Sequence, residues 1–231
     1  MKVAAIVPAA GRGRRFRGKT PKLFVSLRGK PVLVHTLERL VRSFRFEEVL
    51  VMTASADIKK TEKLLKRFRL AGPWRVSVGG RTRAESVKRG FEQVSKKSDW
   101  VLIHDGARPC IGKALVLRTL TAAKATGAAL CAMPATATVK KVDVRRGVVL
   151  GTEDRRSLYL AQTPQVFRKD LLSSRYRALG RKALEATDEA ALFDGSRIAV
   201  RVIEGDARNI KVTTVEDGEL LKQTLKKWPK I

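Results

Sequence analysis

Residues 3–22, VAAIVPAAGRGRRFRGKTPK, join a short apolar run to a basic, glycine-rich segment. The segment admits three readings. Gly13 through Thr20 spells G-x-x-x-x-G-K-T, the pattern of an ATP-binding P-loop. Gly11 and Gly13 open a G-x-G, as a dinucleotide fingerprint does. The third reading is a basic loop that holds a triphosphate in some other way.

Local chemistry separates them. In a P-loop the first glycine follows a strand directly and the Lys-Thr pair opens a helix. Here the apolar run ends near Val7, well before Gly13, and Pro21 follows Thr20. A residue before proline is pushed out of the helical region, so Thr20 is badly placed to start a helix. VLIHD (101–105) does resemble the aspartate-ended strand that accompanies a P-loop. The dinucleotide fingerprint fails because its third glycine falls on Phe16. The third reading survives: Ala9 to Gly13 are small enough to turn and bring backbone N–H groups to phosphate. Arg14, Arg15, Arg17, Lys19 and Lys22 supply positive charge.

Outward from this loop, strand-like and helix-like stretches alternate. Residues 31–44, 57–69, 82–97 and 113–127 have helical spacing; 47–54, 75–80, 99–105 and 128–135 read as short buried strands. Alternation of this kind predicts an α/β fold with a mostly parallel sheet and helices on both faces. Ligands then sit beyond the carboxyl ends of the strands, so the loops after Val7, Val78 and His104 should line the site. From about Ala135 the rhythm changes. TATVKKVD, GVVLGTED and LYLAQTP are short, β-like and separated by turns, which predicts an inserted antiparallel β-arm over about 135–162. Such an arm cannot bury a core of its own, so dimerisation through it is expected. Helices over 168–183 and 187–195, a strand over 197–205 and a final helix opened by a capping box from Thr213 to Glu216 complete the chain. One domain over 1–231 is expected.

Composition narrows the class. No apolar run approaches the roughly 20 residues of a membrane span. Two cysteines, Cys110 and Cys131, form no metal-like or redox-like spacing, which suits a reducing cytoplasm. Lys plus Arg number 49 against 22 Asp plus Glu, a formal net charge of +27. That excess admits a nucleic-acid-binding module. The basic residues, however, are spread along helix faces, aromatic residues are only 6%, and no specific nucleic-acid motif accompanies them. Most of the charge reads as surface, with a minority aimed at an anionic ligand.

VPAAGRGRRF with PKLF, GGRTRAESVKRG, VLIHDGARPC, LAQTPQVF, TDEAAL and EGDARNIKVTTVED occur in this order along nearly the whole chain. Together they resemble the 2-C-methyl-D-erythritol 4-phosphate cytidylyltransferases. The resemblance implies a Rossmann-like domain, a homodimer joined through the β-arm, and Mg²⁺ or another divalent cation. It also implies a reaction: CTP and the methylerythritol phosphate give the diphosphocytidyl product and pyrophosphate. A same-fold enzyme acting on another polyol phosphate, such as ribitol 5-phosphate, is the alternative.

The resemblance assigns roles. Arg15 and Lys22 match a basic pair at the triphosphate, and Lys211 a third cation near the reacting phosphate. The backbone of Ala9, Ala10, Gly11 and Gly13 should bracket the nucleotide. Gly80, Arg83 and Ser86 match the segment that recognises cytosine and ribose. Asp105, with Gly106, Ala107 and Arg108, matches the loop near ribose, metal and the acceptor hydroxyls. Thr138 and Arg155 match arm residues that reach the acceptor phosphate from the partner subunit. Ala137 departs from the family, where an acidic residue often precedes the arm threonine. His104 and Cys110 read as structural, and Asp188 and Glu189 as the start of a short helix near the arm.

Overall fold

The computed structural model describes residues 1–11, Phe16 and residues 20–227. The first half of the chain runs β1 (Val3–Pro8), β2 (Ser26–Leu27), β3 (Lys30–Pro31), α1 (Val32–Ser43), β4 (Glu48–Thr53), α2 (Ile58–Arg67), β5 (Trp74–Val78), α3 (Arg83–Glu92), β6 (Trp100–Ile103), α4 (Lys113–Thr126) and β7 (Ala128–Pro134). The second half runs β8 (Lys140–Asp143), β9 (Val148–Thr152), β10 (Tyr159–Arg168), α5 (Lys169–Leu179), β11 (Arg201–Glu204) and α6 (Val215–Lys227).

Seven strands form one sheet in the order β11-β7-β10-β6-β1-β4-β5. All its pairings are parallel except those of β10, which runs antiparallel to both β6 and β7. Strands buried on both faces need near-continuous apolar sequence, and β1 supplies it. Val3, Ala5 and Val7 pack on one face with α1, α4 and α6, whereas Ala4 and Ile6 pack on the other with α3 and α5. The expected alternation of side chains along a strand therefore builds two cores around one sheet. Gly127 ends α4 in the left-handed region at φ 85°, its N–H returning to the Ala123 carbonyl. A side chain there would be strained, and its Cβ would meet Leu171.

The expected α/β architecture is present, with two local corrections. LYLAQTP does not belong to a separate arm. It is the first part of β10, whose Tyr159, Leu160 and Ala161 pair with Pro134, Met133 and Ala132 of β7. A register shift between Ala161 and Gln165 interrupts the ladder there, across the polar, proline-containing Gln162–Pro164. What remains apart from the central sheet is the β8–β9 hairpin and a single 3-10 turn at Arg155–Ser157. The second correction is the cap of α6. The amides of Thr213 and Thr214 both donate to Asp217 Oδ2, at 2.7 and 2.8 Å, and Thr214 Oγ1 faces the Asp217 amide at 3.5 Å. The box is therefore Thr214–Asp217, one residue later than the Thr213–Glu216 pattern. This makes a prediction: Asp217→Ala should lower unfolding free energy by about 1 kcal/mol, while Glu216→Ala should leave it nearly unchanged in urea titrations.

Candidate active site

The site is built where the parallel strands end. β1 runs into Pro8, Ala9, Ala10 and Gly11; β5 into Gly79 and Gly80; β6 into His104 and Asp105. Backbone bonds lock these turns side by side. Ala9 N–H donates to the Met52 carbonyl, Gly79 N–H to Thr53, and Gly106 N–H to Pro8. A cleft of about 100 Å³ is lined by Pro8, Ala9, Gly11, Lys22, Leu23, Arg83, Asp105, Ala107 and Lys211. An adjoining cavity of about 290 Å³ shares Ala9, Gly11 and Leu23 and extends to Ala10, Phe24 and Asp57. A larger hollow of about 750 Å³ is lined by Phe91, Ser98, Arg168 and Arg177 and carries none of the expected site residues.

No α-helix follows the G-K-T letters. Lys22–Phe24 make one 3-10 turn and the first α-helix begins at Val32, which removes the P-loop reading. Phe16 packs against the core. Gly13 and Arg15 lie outside the described residues.

Asp105 is the centre of the cleft's charge. Its Oδ1 accepts from Arg83 Nε at 2.8 Å, and its Oδ2 lies 2.7 Å from Lys211 Nζ and 3.8 Å from Arg108 Nε. Burial alone would raise its pKa; the charges of Arg83, Lys211 and Arg108 overcome this and hold the carboxyl well below the usual range. Its backbone N–H donates to Thr163 Oγ1 at 3.1 Å, and that hydroxyl sits 2.9 Å from His104 Nδ1. With Thr163 donating to Nδ1, His104 Nε2–H donates to the Arg108 carbonyl at 3.2 Å. Burial brings the fully buried imidazole down to about 4. His104 is thus neutral and structural, as its sequence context suggested.

The other expected residues divide into groups. Lys22 and Lys211 face the cleft together. Lys22 Nζ donates to the Val212 carbonyl at 3.0 Å, and Val212 N–H donates to the Ala107 carbonyl at 2.8 Å. Arg108 turns inward: it is 8% exposed, and its Nη1 donates to the Asn209 carbonyl at 2.6 Å. Ser86 is also buried, its Oγ accepting from Gly80 N–H at 2.9 Å and donating to the Thr82 carbonyl at 2.8 Å. It shapes the 79–80 turn and so positions the backbone there. A Cβ on Gly80 would collide with Glu85, and one on Gly79 would lie 2.8 Å from Ala10. Thr138 and Arg155 do not line the cleft; both are exposed on the arm, with Arg155 Nη1 donating to the Thr136 carbonyl.

Sequence reading gave Glu189 no place in the site. It is fully buried, and both its oxygens accept from Arg83 Nη1, at 3.0 and 2.9 Å. Burial pushes its carboxyl up, to about 7, against the pull of Arg83. Thr163, Asn209 and Glu189 are brought to Asp105 by strand pairing and loop packing, which leave no local signal beyond the motifs LAQTP, TDEA and RNIK.

The described residues do not form a protein-built metal site. No group of three or more His, Cys, Asp or Glu side chains could hold an ion among them. Asp105 is a single carboxylate with both oxygens already engaged by cations. Both thiols are buried and free, pushed up to about 11 for Cys110 and about 12 for Cys131 by burial, so neither is a nucleophile at neutral pH.

Known proteins resemble this chain along nearly its whole length. The family profile described as 2-C-methyl-D-erythritol 4-phosphate cytidylyltransferase matches residues 3–226. A protein of that name from Syntrophus aciditrophicus (strain SB) is 38% identical over 227 residues, covering 98% of this chain and 97% of its own. The crystal structure of 4-diphosphocytidyl-2C-methyl-D-erythritol synthase from Anaerococcus prevotii superposes with a TM-score of 0.85 at 30% identity, over 98% of this chain and 99% of that one. The Thermus thermophilus 2-C-methyl-D-erythritol 4-phosphate cytidylyltransferase gives a TM-score of 0.77 at 31% identity, over 98% and 100%. With its cleft at the strand ends and its likeness unbroken from end to end, this chain belongs to the 2-C-methyl-D-erythritol 4-phosphate cytidylyltransferase (IspD) family.

Proposed function

We propose that the cleft at Asp105 is where this CTP-dependent cytidylyltransferase of isoprenoid precursor synthesis works, with cations rather than a base as its catalysts. A phosphate oxygen of 2-C-methyl-D-erythritol 4-phosphate attacks the α-phosphorus of CTP; the bond to the β-phosphate bridging oxygen breaks, and pyrophosphate leaves. The observation that carries this reading is the convergence of Lys22 and Lys211 at the strand ends, each fixed by a named partner.

The nucleophile needs no deprotonation, because a phosphate monoester has a second pKa near 6. The chain agrees with that economy. Its two histidines are both buried, His104 as described and His35 with Nε2 against the Leu27 carbonyl at 2.7 Å. The barrier is the approach of two polyanions, and fixed positive charge lowers it. Lys22, Lys211 and Arg15 are the groups for that task. The turn backbones at Ala9–Gly11 and Gly80 would bracket the nucleoside, with Ser86 holding the second. A divalent cation such as Mg²⁺ would neutralise phosphate charge when bound; Asp105 is the carboxylate that would hold it here, and only after Arg83 or Lys211 releases an oxygen. Family membership does not favour the ribitol 5-phosphate alternative.

The arm is proposed to pair with a second copy. Val144 is 89% exposed, and Val149, Leu150 and Leu160 are each more than half exposed along the hairpin and the neighbouring start of β10. A two-stranded sheet with bare apolar residues and two open edges calls for a cover. A partner's Thr138 and Arg155 would then complete the acceptor site. No helix among the described residues is long and apolar enough to cross a membrane, and the two free thiols suit a cytoplasmic setting.

These roles can be tested by substitution. Lys22→Ala and Lys211→Ala should each lower kcat by about 10²-fold or more in a pyrophosphate-release assay; wild-type rates would remove them from the reaction. Mixed dimers with Lys22→Ala on one chain and Arg155→Ala on the other should keep about half the wild-type activity at the wild-type acceptor KM. That result requires one site built from both intact residues, one from each subunit. A raised KM with no wild-type component would place Arg155 in its own subunit's site.

A further inference from the structure

Glu189 is a buried carboxyl that the reaction, as assigned above, does not use. Its side chain is 2% exposed and does not line the cleft. It stands between β10 and α3, immediately before the 3-10 turn Ala190–Phe193. The neighbouring Asp188 is committed elsewhere: Oδ1 accepts from Ala191 N–H at 3.0 Å and Oδ2 from Gln165 Nε2 at 2.8 Å. Gln165 Oε1 in turn accepts from Ala190 N–H at 3.2 Å. Because Gln165 pairs with Ile103 in the sheet, this segment is registered directly against the strand that ends at Asp105.

We propose that Glu189 is a positioning residue for cytidylyl transfer, acting through Arg83 to hold the carboxylate of Asp105 in its working orientation. Arg83 has a planar, fixed fork of donors. Glu189 takes Nη1 with both oxygens and Asp105 Oδ1 takes Nε at 2.8 Å, so that contacts at two nitrogens together set the plane of the guanidinium. That leaves Oδ2 turned to Lys211 at 2.7 Å. The backbone of Asp105 is fixed from the same strand, since Thr163 of β10 accepts its N–H. β10 therefore reaches Asp105 twice, at the main chain through Thr163 and at the carboxylate through Gln165, Glu189 and Arg83.

Stability alone does not account for this chain of contacts. A buried ion pair is often no more stabilising than well-packed apolar residues of the same volume. Here it also leaves Arg83 Nη2 buried without a partner, an arrangement that adds to its cost. What the geometry supplies is direction: without Glu189 the guanidinium is free to rotate onto Asp105 with both Nη groups and compete with Lys211 for Oδ2.

The inference rests on the cytidylyltransferase reaction, and single-turnover rates with enzyme in excess test it even for slow variants. Glu189→Gln, folded by circular dichroism, should transfer about tenfold more slowly or worse, and Glu189→Asp should recover part of the loss. In an Asp105→Asn background, Glu189→Gln should change the rate by less than about twofold, because its effect passes through Asp105. A wild-type rate for Glu189→Gln overturns the proposal, as does the same tenfold loss in both backgrounds, which marks a role independent of Asp105. Should Glu189→Gln fail to fold, Glu189→Met, of similar length but without acceptor oxygens, runs the same cycle, and the same two results decide against the proposal. A wild-type enzyme that released no pyrophosphate from CTP and the acceptor would instead overturn the reaction itself.

Discussion

Asp105 keeps its charge at the carboxyl end of β6, almost wholly removed from water. Burial opposes that charge, and only the cations around it make it tolerable. They come from distant parts of the chain: Arg83 from the first turn of α3, Arg108 from the turn after β6, Lys211 from the loop before α6. One carboxylate thus draws three segments to a point. The effect extends further, since the residue after Lys211 offers its carbonyl to Lys22. Lys22, the start of α3 and the loop before α6 are tied to one another through this group. Its folded-state pKa is depressed, so its contribution to stability is present above the unfolded value near 3.9 and is lost as pH falls through the folded value.

This organisation suits a reaction between two anions. The cleft is lined by Lys22, Arg83, Lys211 and the carboxylate of Asp105, and the imidazole of His104 beside it is buried and neutral. Lys22 and Lys211 each have a fixed partner; in the roles proposed for them, little reorganisation would be needed when charge builds on the leaving pyrophosphate. The ion pairs at Asp105 have a second consequence. An isolated Lys211 would be a mobile surface cation; paired with Asp105 it is aimed. The wider excess of positive charge on the chain favours encounter with polyanionic substrates at low ionic strength.

Much of this was legible in the sequence because it rests on local patterns. Continuous apolar runs marked the parallel strands, and Pro21 excluded the helix that the G-K-T letters suggested. Asp105 stood out because a carboxylate at a strand's end faces ligand. What the sequence concealed depends on distant pairing. β10 looked like part of an arm because Gln162–Pro164 break its pattern, yet neighbours on both sides hold it in the sheet. Arg108 and Ser86 read as ligand-facing groups, but packing turned both inward to brace the turns. Glu189 read as a helix start, because nothing near it in sequence reveals Arg83, 106 residues away.

Asp105 is ionised and held by cations at both carboxylate oxygens before substrate arrives. A carbon-13 titration of its side-chain carboxyl, assigned by the loss of its resonance in Asp105→Asn, measures this directly in the free enzyme. The account predicts no inflection between neutral pH and about pH 3, with acid unfolding setting the lower limit. An inflection at the ordinary aspartate value of about 3.9, with the fold intact, would contradict it.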